Sequence, residues 1–483
     1  MIEKSTERVL ALMDKINEIP RQSNHLDKIH PWLMRWGLDH GFGVETDAAK
    51  NVLFRVPASS GYEKSPTIIL QGHMDMVCEK RPGVKHNFQK DPIVSWRDGE
   101  WLRARGTSLG ADNAIALALF FDLLTDSSAE HPALEILITA DEETGLEGAQ
   151  KLQKGFLKGS ILLNVDSGDE GVFTIGCAGG MDINMDFPAE WLPPDDAYEY
   201  RQMSIGGLEG GHSGVEIHLE KANAIVLLAR GLREILSSIP QARVAELRGG
   251  TAHNAIPREA TALLAIPMTR LDEFKKVVGR FREDVVAENR VMEKNISVNL
   301  KKAERPENGL LSSFDSAKLV DVLCLVPHGV RHMSTAIEGV VESSMNFAIL
   351  RSEGNRIKLL VNQRSALVSR GIDLSQIMFS LARLCGGTCA TGNYYPAWEP
   401  QSNSDLLERC TMVWKRLFDR EAVVEITHAG LECGAIGERF PHLDMISFGP
   451  TIVHPHSPDE RLHIPSVGRV RRFFRELLKS YRN

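Results

Sequence analysis

No stretch of this 483-residue chain approaches the ~20 consecutive apolar residues needed to span a bilayer. The longest apolar run beside any motif is Ala114–Phe121, so a membrane-spanning role is set aside. An excess of positive charge is also missing. Lys and Arg total 56 against 64 Asp and Glu, a net charge of −8, and a nucleic-acid binder would need a basic patch. Cysteine is scarce and uneven, at positions 78, 177, 324, 385, 389, 410 and 433. An odd, scattered set argues against a disulfide framework and points to a reducing cytoplasm. Cys385 and Cys389 are spaced C-x-x-x-C, which fits neither a zinc ribbon nor a thioredoxin motif, and both are expected as small buried residues. Glu3 and Glu7 arrive at once and no apolar signal core follows, so no secretory leader is expected. Blocks of like charge and low-complexity tracts are absent as well.

What is present is an ordinary soluble composition, 43% hydrophobic and 25% charged, in a chain too long for one hydrophobic core. Ser5 can cap a first helix running to about Glu18. A second helix, about Leu26 to His40, ends at Gly41. Asn51–Val56, Thr67–Leu70, Glu135–Thr139 and Ile161–Val165 read as strands, with a helix over Ala114–Leu124 behind a loop at 106–113. This alternation predicts an α/β unit with a mostly parallel sheet. Near Gly179-Gly180 the texture changes to alternating strand patterns with two long helical stretches, Ala222–Leu236 and Leu271–Glu288. It returns to α/β with a helix over Asp405–Phe418, strands at Val423–Ile426 and Met445–Phe448, and a last helix over Ser466–Tyr481. The expected layout is a first catalytic part over residues 1–180, an inserted α+β domain over 181–397 and a second catalytic part over 398–483.

Five segments carry acidic or imidazole groups after a short apolar strand or in a neighbouring loop. They contain His73 and Asp75, Asp112, Glu142 and Glu143, Asp166, and His456. Functional groups of an open α/β sheet gather at the carboxyl ends of its strands. Carboxylates converging there repel and do not all ionise unless a cation joins them. Histidines with carboxylates suit zinc, with Mn²⁺ or Co²⁺ as substitutes. Read singly, each strand-end Asp could be a cap or turn former, and each Glu pair a solvated loop. The joint occurrence favours a metal cluster, without saying which carboxylate binds and which acts.

The chain resembles the M20 family of metallopeptidases, and within it the bacterial dipeptidases. The resemblance rests on Gln-Gly-His-Met-Asp-Met-Val, Ala-Arg-Gly-Thr-Ser-Leu-Gly-Ala-Asp-Asn, Gly-Cys-Ala-Gly-Gly, Gly-Gly-His-Ser-Gly, Asn-Ala-Ile-Pro-Arg-Glu-Ala, His-Ala-Gly-Leu-Glu-Cys-Gly and Pro-His-Ser-Pro-Asp-Glu, spread from residue 71 to 460. It implies a zinc-peptidase-like mixed sheet with helices on both faces and an inserted lid domain. It implies two Zn²⁺, one held by His73, Asp112 and Asp166, the other by Asp112, Glu143 and His456, with Asp112 bridging. Asp75 would fix the His73 ring from behind. Glu142 would be the general base that acts with a metal-bound hydroxide and returns the proton to the leaving amine. Three ligand carboxylates against four positive charges would leave one positive charge to stabilise an anionic intermediate.

The resemblance further implies that His212 helps hold the oxyanion and that Asn254 and Arg258 contact substrate. It implies that Arg364 grips a free carboxylate, a task suited to a planar guanidinium. Glu432, near His428, could meet a free α-amino group. The implied activity is hydrolysis of unblocked L-dipeptides, Xaa-His included, in the cytoplasm by a homodimer. Whether His212 serves its own subunit or a partner is left open. An aminoacylase or carboxypeptidase of the same family is the alternative, and a non-catalytic binding protein on the same fold is a remote one. His454, His463 and His218 are read as structural. The 176–180 glycines lack the Lys-Ser/Thr of a phosphate loop, and Cys433 is not read as a nucleophile.

Overall fold

The computed structural model describes residues 3–335, 337–401 and 404–482. The chain divides into two compact units. One is the chain up to Cys177 together with the stretch from Tyr395 on, and the other is Ala178–Tyr394.

Among the described residues, the first unit is built on an eight-stranded mixed sheet. Its order is Gly43–Thr46, Val52–Val56, Leu134–Thr139, Ile68–His73, Ile161–Asn164, Asp444–Ser447, Val172–Cys177 and Val423–Thr427. The centre is parallel: Ile68–His73 runs parallel to both Leu134–Thr139 and Ile161–Asn164, and the latter to Asp444–Ser447. Every residue of Ile68–His73 and Leu134–Thr139 is buried. A strand covered on both faces has no exposed side to alternate with, and even the polar Gln71 and Glu135 of these two are buried. The helix Ala111–Leu124 packs against Ile68–His73 and is apolar nearly all round, with almost every position buried. Asp405–Phe418 is capped by Ser404, whose Oγ accepts from the Leu407 amide at 3.0 Å. The first helix spans Lys4–Asn17, with Glu3 at its N-cap. Ser5 therefore lies inside the first turn, and its hydroxyl donates to the Glu3 carboxylate rather than accepting from the helix.

The second unit is α+β. Among its described residues, the main path of its sheet runs Ser297–Lys302, Tyr198–Gly206, Ala260–Pro267, Arg243–Gly249, Val341–Glu353, Arg356–Ser365, Gly179–Pro188 and Thr388–Tyr395, and Gly329–Met333 pairs with Val341–Glu353. Ala224–Ser238 and Leu271–Asn289 are the two helices expected there. Two more, Ser313–Leu325 and Val368–Leu384, lie outside the helical stretches expected from the sequence. Their apolar residues Leu319, Leu323, Leu374 and Met378 join the unit's core.

All seven cysteines are free. Cys385 and Cys389 are half-buried rather than buried, resting on the edge of the second unit's core. No helix among the described residues is long and apolar enough to cross a membrane.

Candidate metal centre

Three of the acidic and imidazole segments emerge from adjacent parallel strands of the first unit. His73 is the last residue of Ile68–His73. Glu142 and Glu143 follow Leu134–Thr139 in a short 3₁₀ turn, and Asp166 lies two residues past Ile161–Asn164. Asp112 enters from the side, in the first turn of Ala111–Leu124, where its own φ and ψ are not helical. The Asp112–Asn113 peptide is cis. His456 comes from the loop between Ile452–Val453 and Arg461–His463, and it adopts a left-handed φ of 59°.

Asp112 stands at the middle. Its Oδ1 is 2.9 Å from His73 Nε2 and its Oδ2 is 3.1 Å from His456 Nε2. His73 Nε2 also lies 3.6 Å from Asp166 Oδ1, and His456 Nε2 lies 3.1 Å from Glu143 Oε2. The side chains thus form two triads that share one carboxylate, with a different oxygen facing each. Glu142 Oε2 is 3.9 Å from His73 Nε2, at the edge of the first triad.

The donor set fits metal ions. A tetrahedral zinc with bonds near 2.0–2.1 Å places neighbouring donors about 3.3 Å apart, and these four contacts between triad members bracket that spacing. His73, Asp112 and Glu143 each offer a ligand atom within 4.8 Å of the others. Glu143 Oε1 is buried without a hydrogen-bond partner, an expensive state for a carboxylate oxygen unless something else takes it up. The charges tell the same story. Burial opposes a charged His73 ring, yet Asp166, Asp112 and Asp75 outweigh it and hold the ring's pKa well above the ordinary imidazole value. His456 is likewise pushed up to about 11, with Asp112 and Glu143 overcoming its burial. Burial raises Asp112, but hydrogen bonds from both imidazoles hold it below the usual carboxylate range. Asp166 is pushed up to about 6 by burial, with the Asp112 and Glu143 charges adding to it. Glu142 is raised well above its ordinary value by burial and by Glu143, Asp166 and Glu432. So many buried carboxylates call for positive charge, which bound metal ions would supply.

Asp75 does more than back His73. The His73 Nδ1 hydrogen bond, 3.2 Å, goes to the Asp75 carbonyl, and the nearer carboxylate oxygen is 3.4 Å away. The carboxylate accepts from the backbone amides of Glu142 and Glu143, at 3.0 and 3.2 Å, and from Ser23 Oγ at 2.7 Å. It therefore aims the Glu-Glu pair. Glu432 is fully buried, and its Oε2 accepts from Gln71 Nε2 at 2.5 Å and Thr139 Oγ1 at 2.7 Å, while Oε1 is left without a partner. Burial pushes its carboxyl up to about 7.

Sequence reasoning missed several residues that build the centre. Asn113 donates to Asp166 Oδ1 at 2.7 Å and to the Val165 carbonyl at 2.8 Å, and accepts from the His73 amide at 3.2 Å. It ties two ligand strands together. A Cβ on Gly72 would lie 2.3 Å from the Asn113 Oδ1, so the glycine before His73 is required by this contact. Glu460 accepts from the amides of Leu109, Gly110 and Asp112 at 2.6, 2.8 and 3.3 Å. Asn113 ends the Ala-Arg-Gly-Thr-Ser-Leu-Gly-Ala-Asp-Asn motif and Glu460 ends Pro-His-Ser-Pro-Asp-Glu. That adjacency to a ligand was the available signal.

In the second unit, His212, Asn254 and Arg258 line one cleft of about 600 Å³. The Ser213 amide donates to the Asn254 carbonyl at 2.8 Å, and His212 pairs with Ala255. His212 Nδ1 accepts from the amides of Gly214 and Val215, both at 3.2 Å. That fixes the neutral tautomer, leaving the proton on Nε2 as a donor. Arg364 sits within the strand Arg356–Ser365, opposite Ser344 and Gly180, and is only 5% exposed. It is buried in the sheet, one residue before the end of its strand.

A sequence model of peptidase family M20/M25/M40 matches residues 69–480. The chain is 38% identical, over 467 residues and 96% of both proteins, to the cytosol non-specific dipeptidase of Escherichia coli. Among solved structures it is similar to aminoacylhistidine dipeptidase from Vibrio alginolyticus, with a TM-score of 0.88 and 35% identity over 99% of this chain and 97% of that one. Aminopeptidase PepT from Bacillus cereus shares the fold at 14% identity, with a TM-score of 0.57 and full coverage of both chains.

Proposed function

Because the chain belongs to peptidase family M20/M25/M40, we propose that it is a two-metal dipeptidase that hydrolyses unblocked L-dipeptides, Xaa-His included. The observation that carries this reading is Asp112 with an imidazole on each of its oxygens. His73, Asp112 and Asp166 would hold one ion and Asp112, Glu143 and His456 the other, with Zn²⁺ suited to the donors and Mn²⁺ or Co²⁺ as substitutes. Such a pair polarises a scissile carbonyl and makes water a nucleophile at neutral pH.

The remaining steps belong to the chain's own groups. Glu142 takes the proton from the attacking water and gives it to the departing amine. Asp75, anchored by Ser23, holds the Glu142 and Glu143 amides and so keeps the base and its neighbouring ligand in register. His212, held as an Nε2 donor, is assigned to the oxyanion that forms at the carbonyl. Asn254, Arg258 and Arg364 are assigned to the rest of the substrate, with Arg364 for its carboxylate. We assign the activity to the cytoplasm as a homodimer, which light scattering of the purified protein tests.

The substrate class is tested with Ala-His, β-Ala-His, N-acetyl amino acids and tripeptides, assayed with metal analysis of the same preparation. Turnover of Ala-His with two ions per chain is the expected result. Turnover of N-acetyl amino acids alone would replace the dipeptidase reading with an aminoacylase, and turnover of none would favour a binding protein.

Glu432 is assigned to the substrate's ammonium group. Its partnerless Oε1 and its interaction with the charges of His73 and Asp166 support the assignment. Its complete burial means the ammonium must gain access as substrate binds. Glu432→Gln is expected to raise KM for unblocked dipeptides far more than for N-blocked ones. Equal effects on both would remove Glu432 from this role.

A further inference from the structure

The end of the first helix and the segment that follows it lie before the stretch matched by the family model, which begins at residue 69. They nevertheless meet the loops of the metal centre at several points. Asn17 Nδ2 donates to the Leu109 carbonyl at 3.2 Å. Ser23 Oγ donates to Asp75 Oδ2, and the Asn24 amide donates to Asp141 Oδ1 at 2.6 Å. Arg21 is the centre of this set. It is 2% exposed and among the largest fully buried side chains of the protein. Its Nη1 donates to the Asp75 carbonyl at 3.0 Å, and its Nη2 donates to the Gly110 carbonyl at 2.6 Å and to Asn17 Oδ1 at 3.0 Å.

We propose that Arg21 is a positioning residue of the metal centre, a guanidinium that sets the distance between the turn carrying His73 and Asp75 and the turn carrying Asp112. The inference rests on the two-metal reading of the site. One planar fork joins two carbonyls that belong to different ligand loops, a job a single ammonium cannot reproduce. Room for it exists because residue 110 is glycine: a Cβ there would stand 2.4 Å from Arg21 Nη2, and the backbone has a φ of +66°. The same Leu109–Gly110 turn is held from its other side, where Glu460 accepts both amides. Its carbonyls go to Asn17 and Arg21, its amides to Glu460, so the first turn before Asp112 has little freedom left. The charges agree with this division. A buried guanidinium needs a counter-charge, and the carboxylates of Glu460, Asp75 and Asp112 all act on it.

The test is chelator-driven loss of metal from the holoenzyme, followed well below the melting temperature. Arg21→Lys keeps the charge and loses the fork, and Arg21→Met keeps the bulk and loses both. The control is Leu477→Ala, a cavity in the Ile464–Lys479 helix that lowers Tm without touching the ligand loops. Both Arg21 variants are expected to release metal about 10–100-fold faster than wild type, the range seen when a residue supporting metal ligands is lost. The control, at a comparable Tm, should release it at nearly the wild-type rate. In the variants kcat should fall more than KM rises. Release that follows Tm alike in all three proteins, or that stays at the wild-type rate, would overturn the proposal. So would failure of both Arg21 variants to fold, since the residue would then serve folding rather than the centre. Wild-type protein that takes up no metal would strike the two-metal reading itself, a result distinct from either of these.

Discussion

Glu142→Gln is expected to lower kcat for a good dipeptide by about 10²–10⁴-fold, the usual worth of a positioned general acid–base, while metal content stays at the wild-type level. The substitution keeps the shape of the side chain and its place beside His73, 3.9 Å from Nε2. It removes only the capacity to accept a proton. Glu142 is the carboxylate of the pair that is not within contact of either imidazole nitrogen at ligand distance, whereas Glu143 faces His456 Nε2 at 3.1 Å. The backbone amides of both residues stay on Asp75, so the amide variant has no reason to disturb its neighbour. KM should move little, because the lost interaction belongs to the transition state. Normal activity in Glu142→Gln would end the role of Glu142 as the base. Loss of metal along with activity would instead make it a ligand.

Asp112→Asn carries the second large expectation, and it concerns stoichiometry. Each oxygen of Asp112 faces a different histidine. An amide presents one oxygen and one NH₂ group, so it can serve one triad and must turn a donor toward the other. It also removes negative charge from between two cations. Metal analysis should find about one ion per chain in place of two, the number a two-metal site requires. The affinity of the remaining ion should fall more than the ~10–100-fold typical of losing an outer residue. Turnover should fall at least as far as in Glu142→Gln. Retention of two tightly held ions by Asp112→Asn would show that the carboxylate is not shared.

The parts of the centre that could be read from the sequence are those on which local pattern and chemistry coincide. His73 ends a strand of six residues, the Glu142–Glu143 pair and Asp166 come shortly after strands of six and four, and a polar group at the end of a largely apolar strand is visible without a structure. The support around them is not visible in that way. Arg21 reaches carbonyls 54 and 89 residues away, and Glu460 reaches amides about 350 residues away. An arginine after a helix looks like any surface charge until the partner carbonyls are placed around it. The two unread helices of the second unit failed for another reason. Val368–Leu384 buries only a few of its residues and exposes Val368, Ile372, Ile377 and Leu384, which blurs the helical period. Ser313–Leu325 did carry a readable sign: Ser312 Oγ accepts from the Asp315 amide at 3.0 Å, the Ser-x-x-Asp form of an N-terminal cap. Ser5 shows the opposite error, a good capping residue placed two positions too late to act as one.

The two histidines of the centre differ sharply in their access to water. The side chain of His73 is 1% exposed beneath fully buried strands, and that of His456 is 49% exposed on a loop. Strands of that kind open only with the whole fold, while an exposed loop opens on its own. A centre built this way has a front door and no back door. An ion held by His456 and Glu143 would arrive last and leave first, and one held beneath His73 would be committed for as long as the sheet stays folded. Starved of metal, the protein would pass through a half-filled state before an empty one, and the half that persists is the one held by the part of the fold that yields last.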